Sequence, residues 1–466
     1  MTLTWQRAKY LLSDFLASSL AWVLFNILRF EVQAVFHGYS SLGSYLCSST
    51  ILLGQVFVPL FWLFLFWLSG FYNKPYGKSR LGEFFNTFTT VILGVTLLFF
   101  GMVLNDLPSS YEVYYRLFSV LFLLQFFLCY AGRAYLTQDC IRKIRSGKYA
   151  LNVLIIGTCA RAQSLAAELT RQGYAVRGFI RDDDDLQPAV EPSSVVGGWS
   201  DLQRLIPALR IDELVIVPAA SADPQWVKKL YSLYVFKIPV KVLLSESHPL
   251  ARGHLRTIHG SPLLDVTDNN LSEAERNIKW LMDKLLSILA LAALSPLLLY
   301  VAWRVKHDSD GPVFFKQERI GYRGRPFLIY KFRTMYIDAE QAGPSLSKED
   351  DPRITPFGHT MRKYRIDELP QFWNVLRGDM SLVGPRPERM FYINKIVERA
   401  PYYYLLHNVK PGITSLGMVK YGYASDVEQM TERLKYDILY YENMSLALDI
   451  TILFYTIQTV FTGKGI

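Results

Sequence analysis

Long apolar runs fill the first 136 residues and then give way to a mixed pattern. Stretches of about 10–29, 49–72, 85–105 and 115–136 are almost free of charge, and each is near the twenty residues a helix needs to cross a bilayer. Four transmembrane helices are therefore predicted within residues 1–148. Lys74, Lys78 and Arg80 separate the second and third runs, and Arg133, Arg142, Lys143, Arg145 and Lys148 end and follow the fourth. Between Glu31 and Ser49 there is no Lys or Arg. Basic residues favour the cytoplasmic side, so both ends of this four-helix bundle are expected there. Asp14 and Asp106 fall near run ends and read as interfacial.

From about residue 149 the period shortens. Leu151–Gly157 reads as a buried strand ending in a glycine turn, and 162–172 as a helix. Segments 176–180, 213–217 and 240–244 read as further strands, with helices at 200–209 and 225–235. Such alternation predicts a doubly wound, Rossmann-like α/β domain over 149–265. Its first turn, Gly157-Thr-Cys-Ala-Arg-Ala162, keeps one of the three glycines of a dinucleotide fingerprint. A degenerate domain acting as a scaffold or regulator is the better reading. The acidic run Asp182–Asp185 and the Pro/Ser segment 188–194 read as solvated loop.

A fifth apolar run, 285–303, carries Ser295-Pro296 at its middle, with Lys279 and Lys284 before it and Arg304 and Lys306 after it. Proline removes a helix donor and restrains the residue before it. Basic residues at both ends suit a re-entrant helix, 280–304, that enters the membrane, bends at the break Ser295-Pro296 and returns to the same face. A kinked fifth span is the alternative. Residues 434–461, where Tyr and Leu interleave with Asp437, Glu442 and Asp449, read as amphipathic helices at the interface.

Composition agrees with a membrane protein: 51% of the 466 residues are apolar, 14% aromatic and only 20% charged. The net charge of +9 lies beside apolar runs and in the last third. It lacks the basic-aromatic stripe of a single-strand binder, so a membrane surface and a phosphate-bearing substrate are the expected partners, with no nucleic acid. The four cysteines form no CxxC and no His/Cys cluster, which predicts reduced thiols without structural zinc. Arg7 and Lys9 lead into a run too long for a cleaved leader.

The chemistry concentrates beyond residue 310. Lys331-Phe-Arg333-Thr-Met335 places two cations at i,i+2, and Arg362, Lys363 and Arg365 precede Asp367-Glu368. Adjacent carboxylates among cations suit Mg²⁺ binding, nucleophilic attack or general-base work. A plain acidic helix start is the bland alternative. An intact glycine fingerprint and a Tyr-x-x-x-Lys pair, which a nicotinamide-dependent sugar-nucleotide enzyme would need, are both missing. A non-enzymatic scaffold stays open on residue types alone.

The stretch from Lys279 onward resembles the bacterial sugar transferases, the monotopic phosphoglycosyl transferases. The resemblance rests on Ser295-Pro296, Gly311-Pro-Val-Phe-Phe-Lys-Gln-Glu-Arg-Ile-Gly321 and Lys331–Met335. It continues in Arg365-Ile-Asp-Glu-Leu-Pro-Gln-Phe-Trp-Asn-Val-Leu-Arg-Gly-Asp-Met-Ser-Leu-Val-Gly-Pro-Arg-Pro-Glu388 and Lys410-Pro-Gly-Ile-Thr414. The four spans and α/β domain ahead of it are similar to those of the large members.

The resemblance implies a catalytic domain over 277–466. It implies transfer of glucose or galactose 1-phosphate from a UDP-sugar to undecaprenyl phosphate, initiating exopolysaccharide, capsule or O-antigen repeats at the cytoplasmic face of the bacterial inner membrane. Asp367 would be the covalent nucleophile, and Glu368 would hold Mg²⁺ with it. Lys331, Arg333 and Arg365 would face phosphates, Arg386 would contact the nucleotide, and Glu388 would bind substrate. Arg362, Arg377 and Arg389 suit surface or headgroup contact equally well, and a homodimer is a possible assembly. After Thr414 the chain reads Ser415-Leu-Gly-Met-Val-Lys420, where many members have a Gly-Trp-Ala-Gln-Val-Asn type run. That departure bears on which sugar is transferred.

Overall fold

The computed structural model describes residues 3–39, 41–74, 80–101, 111–145, 151–182, 189–218, 225–243, 254–258, 261–339, 351–422 and 424–462. Lys78, positions 102–105, Asp106, Lys148, Asp183–Asp185, Pro188, Leu244 and Tyr423 lie outside the described residues. The chain divides into two compact units, Met1–Ala150 with Ser272–Ile278, and Leu151–Leu271 with Lys279–Ile466.

In the first unit the four apolar runs form the helices Leu3–His37, Ser49–Leu68, Arg80–Gly101 and Tyr111–Arg145. Only 33–39% of each spanning window is buried, so most of each helix turns side chains such as Leu53, Phe57 and Phe100 outward. Water would not tolerate so large an apolar surface, but lipid does. Inside, Trp22, Phe25, Trp62 and Phe66 are at most 2% exposed.

Asp14 is not interfacial. It is fully buried against Arg133, whose Nε and Nη2 donate to its two oxygens at 2.9 and 2.8 Å. Tyr72 donates to the same carboxylate at 2.7 Å, and Arg133 Nη1 reaches Thr87 Oγ1 at 2.8 Å. The Phe66 and Phe71 rings flank the guanidinium, with centroids 3.8 and 3.6 Å away. Because a bidentate, hydrogen-bonded pair offsets much of the cost of burying charge, it ties four helical segments together. Arg133 therefore leaves the count of cytoplasmic loop charges, and the other basic residues carry the orientation argument.

In the second unit, β1 (Asn152–Ile156), β2 (Ala175–Arg181), β3 (Val195–Gly198), β4 (Glu213–Ile216) and β5 (Val240–Leu243) lie parallel. β6 (His254–Ile258) and β7 (Ser261–Asp265) add an antiparallel hairpin. The sheet order is β3-β2-β1-β4-β5-β7-β6, which confirms the doubly wound pattern. The short Val-Val-Gly-Gly strand β3 and the hairpin are additions to the sequence reading. Gly157 sits at φ 120°, and a Cβ there would lie 2.7 Å from the Val217 carbonyl oxygen, so only glycine fits the turn. Asp182 is not solvated: it is 6% exposed and accepts from Lys229 at 2.8 Å and Trp199 Nε1 at 3.1 Å.

This sheet is not a separate bead. One hydrophobic cluster runs from Leu154, Ile216 and Tyr234 through Val375 and Leu406 to Tyr440 and Ile452. Tyr231 packs edge-on to Tyr402, and Tyr441 donates to the Thr267 carbonyl at 2.7 Å. The C-terminal half of the unit contains the antiparallel pair β8 (Phe314–Ile320) and β9 (Pro326–Phe332) and the parallel pair β10 (Ser381–Val383) and β11 (Gly412–Thr414).

The two C-terminal helices differ. Helix Val427–Glu442 is built into the core along one face, where Leu434, Asp437, Tyr440 and Tyr441 are buried, and exposes Leu439 on another. Helix Leu446–Phe461 buries Asp449 and Ile452 but exposes Ile450, Phe454 and Ile457, as an interfacial helix would. The fifth apolar run lies in one helix, Glu273–Asp308, with Pro296 inside it, so Ser295-Pro296 does not end the helix. Pro296 cannot donate to the carbonyl four residues back, Ala292. Instead Ser295 Oγ donates to that carbonyl at 2.8 Å, satisfying the group the proline orphaned.

Candidate active site

Asp367 and Glu368 project from a single 3₁₀ turn, Ile366–Glu368, entered through Arg365 at φ 53°, ψ 26°. A left-handed arginine is strained by about 1–3 kcal/mol, a cost that tends to persist where function over-determines the geometry. The two carboxylates are 7% and 8% exposed. Lys331, from β9, donates to Glu368 Oε1 at 2.7 Å and lies 3.9 Å from Asp367 Oδ2. Arg365 Nη1 is 3.5 Å from Glu368 Oε2, and Arg386 Nη2 is 3.6 Å from Oε1.

The neighbours thus separate the pair electrostatically. Burial and the charge of Glu368 raise the Asp367 carboxyl above its ordinary range, although Lys331 opposes this. Burial also raises Glu368, but Lys331, Arg386 and Arg365 outweigh it and hold that carboxyl well below the usual range. Glu368 is the fixed anion of the cluster, and Asp367 is the less neutralised, more basic one.

Arg386 stands between Pro385 and Pro387, with its backbone N–H 3.5 Å from Asp437 Oδ2 and Nη1 3.1 Å from Met418 Sδ. Glu388 anchors a second cluster, receiving Arg433 Nη2 at 2.6 Å and Arg319 Nη1 at 3.2 Å. Both clusters open on one cavity of about 410 Å³, lined by nine Lys/Arg and three Asp/Glu side chains. A surplus of six positive charges in a half-enclosed space suits a ligand bearing several negative charges, such as a diphosphate.

Of the residues singled out from sequence, Asp367, Glu368, Lys331, Arg365, Arg386 and Glu388 come together here. Arg333 borders the cavity, yet its guanidinium is 2.7 and 2.5 Å from the Asp310 and Ser309 carbonyls. Its Nη2 also reaches the Val305 carbonyl at 3.4 Å, one of the last four of helix Glu273–Asp308, so it caps that helix end and the turn beyond it. The i,i+2 spacing therefore separates Lys331 and Arg333 into different jobs. Arg362 and Arg389 line the cavity, whereas Arg377 lies outside it near Asp379. Arg319, Arg433 and Met418 join the site without having stood out in the sequence: Arg319 lies inside the Gly311–Gly321 segment, and Arg433 sits on a helix 45 residues beyond Glu388 and carries no local signal.

Among the described residues no group of three or more His, Cys, Asp or Glu gathers. Mg²⁺ commonly takes only one or two carboxylates plus substrate phosphates and water, and Asp367 and Glu368 are the adjacent carboxylates that border the cavity.

The bacterial sugar transferase profile matches residues 274–463, the segment that builds this cavity. Over 444 residues the chain is 30% identical to the UDP-galactose-lipid carrier transferase of Erwinia amylovora, covering 89% of this chain and 87% of that protein. The chain belongs to the bacterial sugar transferase family. A relative from Escherichia coli K12, the UDP-glucose:undecaprenyl-phosphate glucose-1-phosphate transferase, is 31% identical over 67% of this chain and 68% of its own length. The UDP-N-acetylgalactosamine-undecaprenyl-phosphate N-acetylgalactosaminephosphotransferase of Aeromonas hydrophila is 45% identical over 40% of this chain. That alignment spans 44% of the Aeromonas protein, under half its length. A CoA-binding domain profile matches residues 67–234 of the chain, which include β1 to β4.

Proposed function

We propose that this enzyme transfers a hexose 1-phosphate from a UDP-sugar to undecaprenyl phosphate, the first step of a polysaccharide repeat unit. UDP-glucose and UDP-galactose are the donors expected from the resemblance. The buried Asp367-Glu368 pair, with unequal basicity at the floor of a cationic cavity, carries the reading. Asp367 attacks the β-phosphorus, the bond to the bridging oxygen breaks, and UMP leaves with that oxygen. An oxygen of the lipid phosphate then attacks the phosphosugar-aspartate, the acyl phosphate bond breaks, and Asp367 is regenerated.

Lys331, Arg365 and Arg386 stabilise charge on the phosphoryl oxygens, each by about 2–4 kcal/mol if aimed at the transition state. Glu368 holds Lys331 and both arginines in place. Asp367 and Glu368 would hold Mg²⁺, which when bound neutralises diphosphate charge.

Asp367→Asn keeps the shape and removes the nucleophilic charge, so UMP release by the purified protein should fall by several orders of magnitude. Near-normal turnover in a folded Asp367→Asn protein would refute the covalent route.

A re-entrant placement of helix Glu273–Asp308, with the cavity on the cytoplasmic face of the inner membrane, fits the basic residues at both its ends. Cysteines near Lys279 and Lys306 should then both be labelled from the cytoplasm only. Periplasmic labelling beyond Trp303 would make this helix a fifth span.

A further inference from the structure

We propose that the apolar rim of the cavity, formed by Phe315, Tyr336 and Ile337, receives the polyisoprenyl chain of the acceptor lipid. That placement rests on the reaction proposed above, in which a lipid phosphate is the second substrate.

The cavity is graded along β8. The alternate residues Arg319, Gln317 and Phe315 all line it, so the wall passes from cationic to apolar over about 13 Å, at roughly 3.3 Å per residue. At the cationic end Arg319 pairs with Glu388 at 3.2 Å. At the apolar end Phe315 stands directly opposite Lys331 in the antiparallel pair with β9, which sets their Cβ atoms about 5 Å apart on one face. Lys331 is also the donor to Glu368. The lysine that serves the reactive carboxylates therefore stands at the apolar end of the wall.

From there the apolar surface continues outward. Phe315, Tyr336 and Ile337 are 40%, 49% and 63% exposed, and all three border the cavity. Ile337 lies against the turn at Gly311, where a Cβ would be 2.7 Å from its Cδ1. That turn follows helix Glu273–Asp308, whose most apolar window is only 11% buried. Arg333 joins the turn to the helix end through the carbonyls of Asp310, Ser309 and Val305. The rim thus begins where the lipid-facing helix ends. Exposed apolar groups gathered in such a place mark a contact with hydrocarbon rather than with water.

Of the two substrates, the acceptor is the one whose phosphate is bonded directly to a hydrocarbon chain. A UDP-sugar is polar from end to end, and a ribose and a second phosphate separate its uracil from the reacting phosphorus. With the acceptor phosphate at Lys331, the first isoprene units fall beside Phe315. The units that follow pass over Tyr336 and Ile337 toward the helix. Apolar contact scales with the area removed from water, so truncating one ring or branched side chain on this track should cost roughly tenfold in affinity.

The test uses the full-length protein in detergent micelles with saturating UDP-glucose or UDP-galactose. It reads kcat/KM for the lipid-linked product with undecaprenyl phosphate and with a two-isoprene phosphate. Ile337→Ser should lower the value for undecaprenyl phosphate about tenfold and that for the short acceptor about twofold or less, since the short chain ends near Phe315. Phe315→Ser should lower both about tenfold, while Ile337→Leu and Phe315→Leu keep them. Equal losses for both acceptors in Ile337→Ser would make the rim a general membrane anchor and overturn the proposal. A raised KM for the UDP-sugar with unchanged acceptor kinetics would give the rim to uracil instead. A changed oligomeric state with unchanged acceptor kinetics would give it to a second copy of the chain. Asp367-dependent UMP release combined with acceptor kinetics blind to all these substitutions sinks the rim assignment alone. Without any Asp367-dependent UMP release, the reaction proposed above falls as well.

Discussion

Lys331→Met tests whether the cation beside the carboxylates sets the basicity of the nucleophile. Lys331 Nζ is 3.9 Å from Asp367 Oδ2, and its charge is the largest influence lowering that carboxyl against burial. At an effective dielectric near 20, two unit charges at this separation interact by about 4 kcal/mol. Arg362 and Arg365 also lower Asp367 and remain in the variant, so the Asp367 carboxyl rises further by less than that full pair energy. Attack requires the ionised carboxylate, so activity falls on the acidic side and recovers as pH rises through the new value.

Single-turnover UMP release, measured across pH on both proteins, should show the acidic limb of Lys331→Met displaced upward. A lysine that only bound phosphate would lower the rate by the same factor at every pH. An unmoved acidic limb in a folded variant would refute the electrostatic argument.

His407 is 6% exposed, and burial, with the nearby charge of Lys237, pushes it down to about 4. The unfolded chain then binds a proton between about pH 6.5 and 4 that the folded chain refuses, so stability falls as pH drops through that window, by about 3 kcal/mol in all. His407→Phe, set against Tyr403 and Tyr404, should flatten the difference in unfolding midpoint between pH 7 and 4.5. A fragment beginning near Asn277 keeps every phosphate-handling residue, yet it should be poorly folded, because it removes Leu154, Tyr234 and their neighbours from the shared core. Normal thermal unfolding with full UMP release from that fragment would show the α/β sheet dispensable for both stability and chemistry.

The apolar runs, the parallel strands and the order of the phosphate motifs were legible in the sequence because each is local. Twenty apolar residues, an alternation of period, or Asp367 beside Glu368 can be read without knowing what lies across the fold. Even the effect of Pro296 was half legible: its missing donor was evident, whereas the Ser295 hydroxyl that answers it needed coordinates.

What only the tertiary structure decided is the pairing of distant charges. Asp14 meets Arg133 across 119 positions, Glu388 meets Arg433 across 45, and Lys331 meets Glu368 across 37. Lys331 and Arg333 are near neighbours in sequence, yet one faces the carboxylates and the other a helix end. The physical reason is that a charged side chain looks the same in a sequence whether it is solvated or buried. Its role follows from the desolvation it suffers and the partner that offsets it, and both are properties of the packed fold.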